Sequence, residues 1–269
     1  MNWKLMKKSM FLFSAIILFA GLNSCNKDEG VNLFTVEDDI EFGLQMKQQI
    51  LDNPTDFPVL DPETYSNAYF HLNRIRDSIL GSAEINHRED FAWEVYIIDN
   101  DTVLNAFAVP GGYMYFYSGL IKFLDSEDQF AGVMAHEMAH VDKRHTTSTL
   151  TKQYGLSFLL GMLVGNNENA YVQIASDLAQ GLAGLSFSRK HEYQADEYAV
   201  RYMYTTAYDS RGVKGFFDKL DTATYPPTFL STHPSPDDRI EQILIVWESL
   251  GGKTGQTFPE SYQDFKNSL

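Results

Sequence analysis

The chain has 269 residues, with 21 basic and 36 acidic side chains and a formal net charge of −15. Hydrophobic residues make up 44% and aromatics 14%, a globular composition that excludes a disordered chain, and the length suits one large domain or two small ones. The acidic balance argues against nucleic acid, whose phosphates recruit Lys and Arg, and the single cysteine excludes both an intramolecular disulfide and a Cys-rich zinc knot.

The chain opens on the pattern of an export signal. Lys4, Lys7 and Lys8 precede an apolar run over residues 10–20, too short for a transmembrane helix of ~20 residues. Leu22-Asn23-Ser24-Cys25 resembles a bacterial lipobox, in which the cysteine is diacylated and becomes the mature N-terminus. The expected layout is a signal peptide over 1–24, a tether over 25–34 anchored to the membrane through lipidated Cys25, and one domain over 35–269. The expected place is the cell envelope, on the outer membrane facing the periplasm or at the cell surface. Asp28 and Glu29 beside the anchor resemble short surface-export signals, and a plain solvated tether explains them equally well.

Thr35 with Asp38 predicts a capped helix over residues 36–51, ended by Asp52-Asn53-Pro54. Asp61-Pro62-Glu63 predicts a second helix that runs to about Leu80. Residues 93–98, 102–109 and 113–118 are β-rich and read as three strands, with Gly111-Gly112 between the last two. Ser126 predicts a helix to about His145. An apolar stretch over 155–165 follows, then helices over 168–185, 188–208 and 213–220. Tyr225-Pro226-Pro227 and His233-Pro234-Ser235-Pro236 predict a rigid loop, and Pro236 opens a helix to about Leu250. Only a short tail is expected beyond it. Three short strands among so many helices predict an α+β fold, mostly α, with a small sheet beside one central helix.

His136-Glu137-Met138-Ala139-His140 is the informative run. Histidines four apart share a helix face, so both imidazoles reach one metal ion. Catalytic zinc takes three protein ligands and keeps one open position. Glu137 lies about 100° round the helix, where it reaches a bound water as general base without being a ligand. At average composition the pattern arises by chance in on the order of one window in 10⁴–10⁵. Apolar neighbours on both sides predict a buried helix, and buried histidines beside a buried Glu need a reason such as a metal.

The third ligand must come from elsewhere. A metzincin would need Gly at Lys143 and His at Thr146, and His145 is off that register. Glu192 and Asp196 share a face of the later helix, so Glu192 can bind zinc while Asp196 fixes the tautomer of a ligand histidine. His191 is the rival ligand and points about 100° away. An ordinary charged helix face is the bland alternative.

With these motifs in place, residues 91–245 resemble the gluzincin metallopeptidases of the HtpX and CAAX prenyl-protease type, especially their bacterial envelope members. The resemblance rests on Asn105-Ala106-Phe107-Ala108-Val109-Pro110-Gly111-Gly112, Tyr117-Ser118-Gly119-Leu120, His136 to His140, Ser188 to Asp196, and Ser231-Thr232-His233-Pro234-Ser235 with Arg239. Long spanning segments and a repeat domain after the peptidase, found in parts of that family, are not expected here. The resemblance implies a zincin-like fold, one Zn2+ per chain on His136, His140 and Glu192, and protein or peptide substrates. It implies that Asn105, Ala106, Phe107 and Ala108, with Pro110, Gly111 and Gly112, take an extended peptide as an added strand. His233 would donate to the oxyanion or else fill the fourth zinc position, and Arg239 would orient that loop or the substrate. Residues 154–187 would gate the cleft. An endopeptidase acting on misfolded or misassembled envelope proteins is the expected function. The rivals are a chaperone-like assembly factor with a latent zinc site, a small-molecule hydrolase, and a structural zinc site. The oligomeric state is not legible.

Overall fold

The computed structural model describes residues 32, 34–155, 186–220, 228–234 and 238–269. The stretch Leu33–Leu269 forms one compact unit. All but Gly155 of the expected apolar stretch over 155–165 falls outside the described residues, as do the helix over 168–185 and, with Cys25, the whole of 1–31. Among the described residues, no helix is long and apolar enough to cross a membrane.

Three strands make the small sheet: β1 (Glu94–Ile98), β2 (Ala106–Val109) and β3 (Tyr113–Tyr117). Their order is β1-β3-β2, with β3 parallel to β1 and antiparallel to β2. Successive side chains alternate between faces, and both faces here are apolar. Val95, Ile97, Ala106, Ala108, Met114 and Phe116 join the main core. Ile98, Phe107, Val109, Tyr113, Tyr115 and Tyr117 join a second core with Phe42, Met46 and Ile50 of helix α1 (Val36–Leu51). Residues 102–105 stay out of β2. Asn100 Oδ1 accepts from the Thr102 amide and hydroxyl at 3.1 and 2.7 Å, closing a local turn instead.

The reciprocal cap of α1 is formed as expected: Asp38 N donates to Thr35 Oγ1 at 3.1 Å, and Thr35 N to Asp38 Oδ2 at 2.8 Å. The helix lies against the 3₁₀ turn Pro110–Gly112. A Cβ on Gly43 would sit 1.8 Å from Pro110 O, so only glycine allows this approach, and Gly111 takes φ +75° within the turn. Helix α2 (Ser66–Leu80) begins four residues later than a cap at Asp61 predicts. The Asp61 carboxylate accepts from the Thr64 and Glu63 amides at 2.9 and 3.4 Å, which spends it on a turn rather than a cap.

After the short α3 (Ser118–Phe123) comes α4 (Glu127–Asp142), in which every residue but Gln129 is buried. A helix apolar or enclosed on all sides belongs in the core, and α4 packs against β2, α6 (Arg189–Tyr204) and α7 (Gly212–Leu220). Ser126 stands at its start but gives its hydroxyl to Asp128 Oδ1 at 2.5 Å instead of capping. Glu127 accepts Arg74 at 2.7 and 2.6 Å and Ser261 at 2.7 Å, tying α4 to α2 and to α10 (Pro259–Asn267).

Two expected boundaries and one expected tail are corrected. Helix α4 stops at Asp142 rather than about His145, because Arg144 turns left-handed at φ +58° and a new helix, α5 (His145–Tyr154), starts there. Helix α6 ends at Tyr204, where the Thr206 hydroxyl bonds Met203 O at 2.6 Å. The C-terminal tail holds α10, whose Tyr262 and Phe265 are fully buried in the main core. The one-turn α8 (Phe229–Thr232) and α9 (Arg239–Ser249) complete the described helices. Pro236 lies outside the described residues.

Candidate metal centre

Helix α4 presents His136 and His140 one turn apart on the same face. Glu192 comes from the first turn of α6, whose start is capped by Ser188 accepting from His191 N at 3.2 Å. His233 follows α8 and is fixed by its amide donating to Phe229 O at 2.9 Å. One donor atom from each of His136, His140, Glu192 and His233 lies within 4.8 Å of all the others. His136 Nε2 and His140 Nε2 are 3.0 Å apart. His233 Nδ1 is 3.3 Å from His136 Nε2 and 3.2 Å from Glu192 Oε1. All four residues are at most 1% exposed.

A ring of charge surrounds these donors. His136 Nδ1 lies 2.9 Å from Asp196 Oδ1. The Arg239 guanidinium donates to both Asp196 oxygens at 2.6 Å, pairs with Glu192 Oε2 at 2.8 Å and reaches Pro234 O at 3.3 Å. Burial alone would push His136 down, yet Asp196 and Glu192 carry it up to about 9. Burial alone would raise Glu192, yet His233 and Arg239 hold it well below the usual carboxylate range. The two carboxylates therefore favour positive charge beside His136, whereas burial and the neighbouring imidazoles push His140 well below the ordinary imidazole range. Two imidazole nitrogens and a carboxylate oxygen, buried and convergent, fit a divalent metal of the zinc type. Glu137 is 1% exposed, with Oε1 3.4 Å from His233 Nε2, and burial holds its carboxyl above the ordinary range.

The expected residues are thus largely brought together. His191 is outside the donor set and stacks on His145 at 4.3 Å. Arg239, expected at the loop or the substrate, is 1% exposed and engaged with carboxylates and the Pro234 carbonyl, which places it on the loop side of that expectation. Asn105 precedes β2, and its carbonyl accepts from Tyr117 N at 3.2 Å. Strand β2 is at the sheet edge, beside α4, but Ala106, Phe107, Ala108 and Val109 are all buried. The turn residues Pro110, Gly111 and Gly112 are buried too. Of the expected gate over 154–187, residues 156–185 fall outside the described ones. Its last part, Phe187, stacks on His140 at 3.9 Å between ring centroids. Phe229 stacks on His233 at 4.2 Å. Neither aromatic was marked by spacing. The contact of His145 with Gln194, 49 residues apart, left no periodic signal either.

A HExxH helix completed by a glutamate from a later helix defines a metallopeptidase centre of the gluzincin class. The chain belongs to Peptidase family M48, whose profile matches residues 54–245. It is 32% identical over 202 residues to the putative beta-barrel assembly-enhancing protease of Vibrio cholerae, covering 65% of this chain and 42% of that one. It is 32% identical over 177 residues to the beta-barrel assembly-enhancing protease of Escherichia coli K12, covering 60% and 36%. The mitochondrial metalloendopeptidase OMA1 of Arabidopsis thaliana is 27% identical over 211 residues, covering 72% and 42%. The match therefore spans well under half the length of these relatives.

Proposed function

We propose that this protein is a zinc-dependent endopeptidase of the bacterial cell envelope that hydrolyses misfolded or misassembled envelope proteins. The carrying observation is the buried set of His136, His140 and Glu192 with Glu137 beside it, in a chain of an M48 peptidase family. One bound zinc would supply Lewis-acid polarisation of the scissile carbonyl and lower the pKa of water toward ~7. Glu137 takes the proton of the attacking water and returns it to the leaving amine. Asp196 accepts from His136 Nδ1, which leaves the Nε2 lone pair facing the other donors. Arg239 holds Asp196 and Glu192 in place and neutralises part of their charge. An extended substrate adds to the β2 edge along residues 105–108, with Pro110, Gly111 and Gly112 allowing close approach. That edge is covered in this conformation, so substrate entry requires it to be uncovered.

The substrate class follows the family resemblance, and the bacterial relatives are named as beta-barrel assembly-enhancing proteases. The envelope placement follows the signal over 1–24 and the lipobox cysteine. A Cys25→Ala chain is expected to lose incorporation of labelled fatty acid, which the native chain should show. A native chain that takes up no label would rule out the lipid anchor.

A second reading is a chaperone-like assembly factor with a latent metal site. Complete burial of the donors and the presence of His233 among them favour it. In that position His233 would offer a fourth donor to a bound cation; turned outward, it would instead donate to the oxyanion. Metal content and casein cleavage, before and after chelation, separate the readings. One zinc per chain is expected, with cleavage lost on chelation and restored by zinc. Stoichiometric zinc without cleavage would favour the latent site, and absence of bound zinc would remove both.

A further inference from the structure

The residue that opens α5 has no part in the chemistry described above, yet it touches a ligand. His145 is 2% exposed, and its Nδ1 lies 3.0 Å from His140 Nδ1. Its other nitrogen, Nε2, lies 2.8 Å from Gln194 Oε1. Gln194 stands on α6 midway between Glu192 and Asp196. We propose that His145 and Gln194 form a neutral hydrogen-bond relay that positions His140 for metal binding.

The direction of each hydrogen bond follows from the donor set. His140 Nε2 faces His136 Nε2 at 3.0 Å and Glu192 Oε1 at 3.6 Å, so it is the atom that gives its lone pair to a cation. The proton of a neutral His140 is then on Nδ1, and His145 Nδ1 accepts it. His145 in turn carries its own proton on Nε2 and donates it to the Gln194 carbonyl oxygen. The chain runs in one sense, and each ring is held in one tautomer and one orientation. The left-handed turn at Arg144 separates α4 from α5 just before His145.

Charge explains why the relay is neutral where His136 has a carboxylate. Glu137, Glu192 and Asp196 bring three buried carboxylates, and Arg239 brings one positive group. A divalent cation balances that set. A carboxylate at position 145 would leave an excess buried negative charge, which is costly. An imidazole and an amide orient His140 without adding charge.

This inference rests on the metal-site reading, and the test separates the two. Zinc dissociation constants are measured by chelator competition on the full chain, with thermal unfolding of the metal-free forms as a check on the fold. His145→Phe keeps the ring stacked on His191 but cannot accept a hydrogen bond. It is expected to weaken zinc binding ~10–100-fold, the range for outer partners of metal ligands. His145→Asn keeps an acceptor near the place of Nδ1 and loses the ring. It is expected to recover most of that loss. A packing role predicts the reverse order, so Phe binding zinc as well as Asn, or better, would overturn the relay. If the Phe variant does not fold, Gln194→Leu carries the test: weaker zinc binding is expected, and unchanged binding would overturn the proposal. A wild-type chain that takes up no zinc would remove the metal reading and the relay together.

Discussion

Replacing Glu137 with Gln is expected to cut peptide cleavage by at least ~10²–10⁴-fold, the usual worth of a positioned general base, with zinc content unchanged. The geometry separates the two quantities. Glu137 is one residue along α4 from His136, so its carboxylate leaves the ligand face and points toward His233, at 3.4 Å. Gln has the same shape and can still bond a neighbour, but it has no basic site to take a proton. The donors His136, His140 and Glu192 keep every partner they have in the native chain. Cleavage is to be measured beside metal content on the same preparation. Loss of zinc together with activity would mean that Glu137 holds the site rather than acting in it. Cleavage at the native rate would show that Glu137 is not the general base of the reaction.

Much of this site was legible before any coordinates, and the reason is local. A helix repeats every 3.6 residues, so His136 with His140, and Glu192 with Asp196, declare a shared face from spacing alone. The cap at Thr35 and the β-rich composition of the three strand segments are local in the same way. What could not be read depends on chain segments that meet only in three dimensions. Arg239 shows this: the resemblance suggests a loop or substrate contact, whereas its carboxylate partners Asp196 and Glu192 lie more than 40 residues upstream. His145 served only to reject a metzincin register, and its contact with Gln194 across 49 residues has no periodic trace. The late α2 start and the early α4 stop have another cause. Asp61 and Arg144 each had an alternative local geometry, a side-chain turn and a left-handed backbone, that competed with the helix. Helix α10 escapes the sequence because its nine residues are mostly polar and carry only two large apolar side chains, Tyr262 and Phe265, which are enough to seat it in the core.

Arg239→Ala is expected to destabilise the metal-free chain by about 3–5 kcal/mol at pH 7, the range for removing one partner of a buried ion pair. Arg239 is 1% exposed and serves two carboxylates at once, Asp196 at 2.6 Å and Glu192 at 2.8 Å. Without it, both face a buried chamber that already contains Glu137. The pH dependence gives the argument a sign. Glu192 is held well below its ordinary range in the native chain, so its contribution is present above the unfolded value of about 4.3 and is lost as pH falls through the folded one. In the variant that depression is weakened, so the gap between the two chains narrows as the pH falls below about 4. Zinc should narrow it as well, because a divalent cation restores positive charge beside the same carboxylates. Urea unfolding at pH 7 and pH 3.5, with and without zinc, measures all three differences. Arg239→Lys keeps the charge but not the planar fork that meets Asp196 with two hydrogen bonds, so it is expected to fall between wild type and Ala. A loss under about 1 kcal/mol for Ala, or a gap that widens in acid, would show that the carboxylates are held by something other than this guanidinium.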